Sequence, residues 1–73
     1  MLLDLASFAS RFNISSADAY VLPALFERSA QMAGMSPRAL IAEATFRNNA
    51  LGEYLADAAR KVAASDRTDR AAA

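Results

Sequence analysis

The chain has 73 residues, and its eight basic and eight acidic side chains give a formal net charge of zero, so no bulk field steers it toward nucleic acid or anionic lipid. Cysteine and histidine are absent, which excludes disulfides, thiolate zinc sites and nucleophilic catalysis of the Ser-His-Asp or Cys-His kind. The two glycines are too few and too far apart for a phosphate-binding loop. We predict that the protein is not an enzyme and has no metal, no cofactor and no small-molecule substrate.

The composition limits the size of the hydrophobic core. Alanine accounts for 19 residues, so the number of large apolar side chains is modest. Chains this short usually gain only about 3 to 5 kcal/mol from one core unless a disulfide, a metal or an oligomer partner adds to it. We therefore expect a partner, either another protein or a second copy in a homodimer. The first residues show neither a cationic leader nor a long apolar run, which predicts a cytoplasmic protein without membrane contact.

Residues 1–12 form the first predicted helix. Their apolar side chains recur at helical spacing, while Asp4, Ser7 and Arg11 recur on another face. This apolar face is wider than one packing partner needs, so we expect part of it to contact another protein. The candidate interface residues are Leu2, Leu3, Leu5, Phe8 and Phe12.

A break near residues 13–16 precedes the second predicted helix, which runs from about Ala17 to Ala33. Its predicted inward stripe consists of Leu22, Leu25, Phe26, Ser29 and Ala33. Proline lacks an amide hydrogen, so the helix either kinks at Pro23 or begins with Pro23 in its first turn, leaving residues 19–22 more extended. The sequence leaves both alternatives open.

A tight turn follows at Gly34 to Ser36. Glycine ends a helix readily because it tolerates the left-handed conformation, and Ser36 followed by Pro37 is a strong start signal for the next helix. The third predicted helix runs from Pro37 to about Phe46. A helix-turn-helix-like corner at Gly34–Pro37 is therefore part of the predicted fold.

The fourth predicted helix runs from Ala50 to about Ala64, after a break at Asn48-Asn49. The apolar stripe is nearly continuous across this break, so one long bent helix is the alternative. Residues 65–73 have no large apolar side chain, which predicts a disordered tail behind a single helical domain over residues 1–64. The predicted fold class is all-α, a compact bundle of three to four short helices.

Two short sequence patterns around this corner are similar to patterns in known protein families. The run from Ala33 to Ile41 resembles the turn and recognition-helix start of bacterial helix-turn-helix regulators of the arabinose-regulator type, which implies that Pro37, Arg38, Ala39 and Ala42 face a major groove. A second pattern is formed by Gly34, Ser36, Leu40, Ile41, Glu43 and Ala44. This pattern is similar to part of the ribbon-helix-helix repressors, and the similarity implies that Val21-Leu22-Pro23 ends a short dimer strand.

These observations give two hypotheses of function. The first is a helical protein-interaction module that buries an apolar helix face, with Met32, Met35, Phe46 and Tyr54 as further side chains suited to adaptable surfaces. The alternative is a minimal DNA-binding regulator. Its candidate DNA contacts are Arg28, Arg38 and Arg47. The interaction module is favoured because the third helix offers only one basic side chain, Arg38, between its predicted ends.

Overall fold

A computed structural model describes the backbone of residues 4–72 and the side chains up to Asp69. Five α-helices and one π-helix follow each other along this part of the chain. They are α1 (Leu5–Arg11), α2 (Ser16–Ala19), α3 (Leu22–Ala33), α4 (Pro37–Ala42), the π-helix (Glu43–Arg47) and α5 (Asn49–Ala72). Residues 4–72 contain no strand, so the predicted all-α class is confirmed.

The first helix is shorter than predicted and ends in a hydrogen-bonded cap. Asn13 adopts a left-handed conformation with φ of 55°. The amide of Asn13 donates to the Ser10 carbonyl at 3.4 Å, and the amide of Ile14 donates to the Ala9 carbonyl at 2.9 Å. Both bonds satisfy carbonyls that a helix end otherwise leaves free, and asparagine is the residue that best replaces glycine at this position. The predicted break at residues 13–16 is confirmed.

Pro23 lies in the first turn of α3, as one of the two alternatives predicted. The extended segment expected before it is wrong, because Tyr20 and Val21 have helical backbone angles and form a turn between α2 and α3. The Val21 carbonyl accepts a hydrogen bond from the Leu25 amide at 3.0 Å. The dimer strand implied by the ribbon-helix-helix resemblance is therefore wrong as well, since this segment is helical on both sides of the turn.

The corner between α3 and α4 is confirmed. Gly34 has φ of 70°, and its amide donates to the Gln31 carbonyl at 3.3 Å while the Met35 amide reaches the Ala30 carbonyl at 3.0 Å. Ser36 then caps α4, because its Oγ accepts a hydrogen bond from the Ala39 amide at 3.1 Å.

The third predicted helix changes type before it ends. It is α-helical only to Ala42 and continues as the π-helix, whose defining bond runs from the Asn48 amide to the Glu43 carbonyl at 2.8 Å. Asn48 has extended backbone angles, and its Oδ1 accepts from the Leu51 amide at 3.1 Å, which caps α5. The break at Asn48-Asn49 is confirmed, and the alternative of one fused helix is wrong.

The last helix, α5, continues to Ala72, beyond the predicted end near Ala64 and through most of the segment expected to be disordered. Its length of about 36 Å at 1.5 Å per residue accounts for the longest dimension of the molecule, 38 Å. Polar contacts hold the later turns of α5 to α2 and to the turn that follows α2. The Arg67 guanidinium lies 2.7 Å from the Asp18 carboxylate, and the Tyr20 hydroxyl donates to the Asp66 carboxylate.

The core lies where α1, α3, α4 and the π-helix meet α5. Phe8 and Phe26 are fully buried, with ring centroids 4.8 Å apart in an edge-to-face arrangement. Alanines on α5 allow the other helices to approach closely; the buried ones are Ala56, Ala59 and Ala63. The tightest contact is at Gly52, where an added Cβ would overlap the ring of Phe12 and the backbone carbonyl of Ala44.

Candidate protein-interaction surface

The described part of the predicted interface on the first helix, Leu5, Phe8 and Phe12, faces the core of the molecule. Phe8 has no exposed surface, and its ring centroid lies 4.9 Å from that of Phe12. Leu5 and Phe12 are half-buried and pack against the core. Leu2 and Leu3 lie outside the described residues. The described members of this set therefore serve chiefly to hold α1 on the core.

The three candidate DNA contacts are exposed and lie on three different elements. Arg28 is on α3, Arg38 on α4 and Arg47 on the π-helix. Arg28 and Arg38 line separate surface depressions, one beside Met32 and the other beside Phe46. A fourth basic side chain, Arg60, donates to the Phe12 carbonyl and so supports the end of α1.

A mainly apolar depression lies along the outer side of α3, between that helix and α5. It has a volume of about 580 Å³. We call it the α3 groove, and its lining residues are Tyr20, Val21, Ala24, Leu25, Arg28, Ser29, Met32 and Val62. Three large side chains here are open to solvent: Met32 is 81% exposed, Tyr20 53% and Val62 47%.

The sequence of α3 produces this groove because the helix carries two apolar stripes. Leu22, Phe26 and Ala30, spaced four residues apart, are buried and face the core. Leu25 and Met32 follow a second stripe, which faces the groove. The sequence pattern assigned Leu25 to the inward stripe, and its partly buried side chain does pack against the core while it also lines the groove. The pattern singled out Met32 as suited to an adaptable surface. When the apolar surface of a helix is this wide, packing against the rest of its own chain buries only part of that surface.

Charged and polar groups fix one end of the groove and border its side. The Tyr20 side chain is anchored by its hydroxyl, which donates to Asp66 on α5. Beside it, the hydrogen bond and the charge of Asp18 raise the pKa of the Arg67 guanidinium, which lies 2.7 Å from the Asp18 carboxylate. Arg28 borders the groove, and the neighbouring Glu27 shares the adjacent exposed face of α3.

A larger depression of about 870 Å³ lies on the opposite side of α5 and is mainly polar. It contains Glu53 and Asp57, two carboxylates one helical turn apart. Glu53 accepts a hydrogen bond from the Asn49 side chain at 2.9 Å, and Asp57 forms an ion pair with Lys61 at 3.0 Å. All four side chains are exposed, which is typical of a solvated helix face.

Within the described part of the chain, no three acidic side chains are grouped so that they could hold a metal ion. None of the described helices is both long enough and apolar enough to cross a membrane. No family model, curated protein or solved structure matches the chain significantly.

Proposed function

We propose that this protein is a non-catalytic helical interaction module that binds a helix of another protein or of a second copy in the α3 groove. The observation that carries the proposal is the convergence of Tyr20, Met32 and Val62, three exposed large side chains, on one groove. Apolar surface gathered in this way is typical of partner sites, whereas single exposed apolar side chains are common on any protein.

The groove has the chemistry for helix binding. Removing apolar surface from water contributes about 25 cal/mol per Å², so burying one Met or Leu side chain contributes roughly 1.5 to 3 kcal/mol. Met32 is flexible and polarizable, which lets it adapt to different partner side chains. Ala24 and Ser29 are small and leave room for a second helix to approach α3. Recognition of this kind uses apolar anchors at positions i, i+3, i+4 and i+7 of the bound helix.

Binding of amphipathic helical peptides, selected from a random library, tests the proposal. We expect selected peptides to shift the NMR signals of Tyr20, Leu25, Met32 and Val62. Met32→Lys should weaken this binding at least tenfold, because it places a charge in the apolar groove. Phe46→Lys is the matched control, since Phe46 is also an exposed large side chain but lies outside the groove. Selected peptides that bind both variants equally would contradict the proposal.

DNA binding remains the second candidate, and the corner between α3 and α4 is the observation that favours it. A left-handed Gly34 followed by a serine-capped helix is the geometry that joins the two helices of a helix-turn-helix unit. In this hypothesis Arg28, Arg38 and Arg47 contact DNA, and affinity falls steeply as salt rises. A mobility-shift assay at low salt tests it, and the absence of any shifted duplex would remove this candidate.

A further inference from the structure

One charged side chain lies among the apolar residues of the α3 groove. Arg28 lines the groove together with Val21, Leu25 and Met32, and these four residues are spaced by four, three and four positions. Such spacing keeps side chains on one side of a helix, and it is the spacing through which two helices pack along each other. We call this stripe the α3 seam. Arg28 therefore occupies a place in the seam where helix packing usually requires an apolar side chain.

The charge of Arg28 is not paired within the described part of the chain, because Arg28 takes no part in the ion pairs formed among the described side chains. The positions three and four residues away on α3 hold no acid. Glu27, the one acid of this helix, lies about 100° away around the helix axis and outside the groove. A partner that covers the groove removes Arg28 from water, and burying an unpaired charge is strongly unfavourable. We therefore expect the partner to supply a carboxylate beside Arg28.

A second copy of α3 does not supply this carboxylate. Two α3 helices packed through the α3 seam bring together the four seam residues of each copy, and none of these residues is acidic. Both arginines would then be covered without an opposite charge. The charge of the seam thus favours a partner helix of different sequence over self-association through α3.

We propose that the occupant of the α3 groove is an amphipathic helix of another protein that carries a carboxylate within its apolar face, paired with Arg28. This inference rests on the proposed function and names the chemistry of its partner. A guanidinium binds a carboxylate through two parallel hydrogen bonds, which fixes the position of the partner helix along the seam. In packed helices, one polar residue within an apolar seam sets the register and the choice of partner. Arg28 provides this specificity, while Leu25 and Met32 provide the apolar contacts on either side of it.

A library of amphipathic helical peptides tests the inference. Each peptide has an apolar face of leucines in which one position carries Glu, Gln or Lys, and the library places this position at every point along the face. We expect the unchanged chain to select peptides with Glu. The Gln counterpart of a selected peptide should bind about tenfold more weakly in fluorescence anisotropy, and the Lys counterpart more weakly still.

Variants of Arg28 show whether this preference depends on the seam. Arg28→Glu should reverse it, so that the Lys peptide binds better than the Glu peptide. Arg28→Gln should bind the Glu and Gln peptides equally, because the acid then has no opposite charge. Arg38→Glu is the matched control: Arg38 is also exposed but lines a separate depression, so the preference for Glu should remain. Circular dichroism of each variant confirms that the fold is unchanged.

The outcomes separate the two proposals. Peptides that bind in the groove equally well with Glu, Gln and Lys overturn the acidic partner and leave the interaction function in place. A preference for Glu that persists in Arg28→Gln also overturns it, because the acid then pairs elsewhere. If the chain forms dimers in sedimentation velocity and Met32→Lys abolishes them, a second copy is the occupant instead. If no peptide binds and no dimer forms, both proposals are wrong.

Discussion

Two regions of the molecule contain small residues but differ in how closely other atoms pack against them. At the Gly52 junction, formed by Gly52, Phe12 and Ala44, ring and backbone approach so closely that no Cβ fits. At the α3 groove, Ala24 faces a space of about 580 Å³ bordered by exposed apolar side chains. The first region is filled by its own chain, whereas the second is open to a partner. Substitutions should therefore alter stability at the junction and association at the groove.

We expect the largest loss of stability at the aromatic cluster of Phe8, Phe12 and Phe26, which packs next to the junction. Phe8→Ala should reduce the free energy of unfolding by about 3 to 5 kcal/mol, because it removes a fully buried ring and leaves a cavity. Such a loss is comparable to the whole stability expected for a core of this size. Phe46→Ala is the control and should change stability by less than about 0.5 kcal/mol, since 67% of Phe46 is exposed. Urea unfolding followed by circular dichroism measures both, and equal losses would contradict the assignment of the core.

Gly52→Ala tests the junction itself. The added methyl group would overlap a backbone carbonyl, which cannot move aside as a flexible side chain can. We expect a loss of about 3 kcal/mol, at the upper end for overpacking, despite the higher helix propensity of alanine. Ala24→Leu, at the open groove, should cost less than about 0.5 kcal/mol in the same urea experiment. A Gly52→Ala chain as stable as the unchanged one would show that α5 and the π-helix are not in close contact.

At Thr45 in the π-helix we expect a smaller change in the free energy of unfolding, and an increase instead of a decrease. Its side chain is 2% exposed, and among the residues that the structure describes its hydroxyl has no hydrogen-bond partner. Thr45→Val replaces this group with a methyl of similar shape and should raise stability by up to about 1 kcal/mol. Thr68→Val is the comparison, because the Thr68 hydroxyl donates to the Ala64 carbonyl on an exposed face. A clear loss of stability in Thr45→Val would mean that the hydroxyl does have a partner.

The smallest expected effect is a local increase in amide hydrogen exchange near the end of α5. Asp18→Asn removes the charge that Arg67 pairs with, so the last turns of α5 should exchange their amide hydrogens faster while global stability hardly changes. High salt should produce the same loss of protection in the unchanged chain. Asp57→Asn, which breaks a local pair within α5, should leave exchange at residues 65–69 unaffected. Exchange rates that are identical in Asp18→Asn and the unchanged chain would contradict the docking of α5 on α2.

Local signals in the sequence predicted the turns and caps between the helices. Gly34, Ser36 and Asn48 act through hydrogen bonds to residues no more than five positions away, so their roles could be inferred from neighbouring residues alone. The π-helix is different, because its pattern of apolar residues is the same as that of an α-helix. Its presence coincides with the close approach of Gly52 to Ala44, a contact between separate elements that spacing within one helix does not reveal.

Long-range contacts account for the remaining differences. The extension of α5 depends on Asp18 and Tyr20, which are more than forty positions away from their partners in the sequence. Whether the second apolar stripe of α3 is buried or exposed depends on the position of α5 beside it. The sequence pattern predicted an exposed apolar face and placed it on the first helix. In the structure the described residues of that face, Leu5, Phe8 and Phe12, pack against the core, and exposed apolar side chains line the outer side of α3.

The most direct test of the open groove is a titration of the unchanged chain with the selected Glu peptide, observed by NMR. The proposed interaction predicts concentration-dependent shifts confined to the outer face of α3 and to Tyr20 and Val62, with no change at the Gly52 junction. Shifts centred on Arg38 and Phe46, or spectra that do not change from the lowest to the highest peptide concentration, would contradict helix binding in the α3 groove.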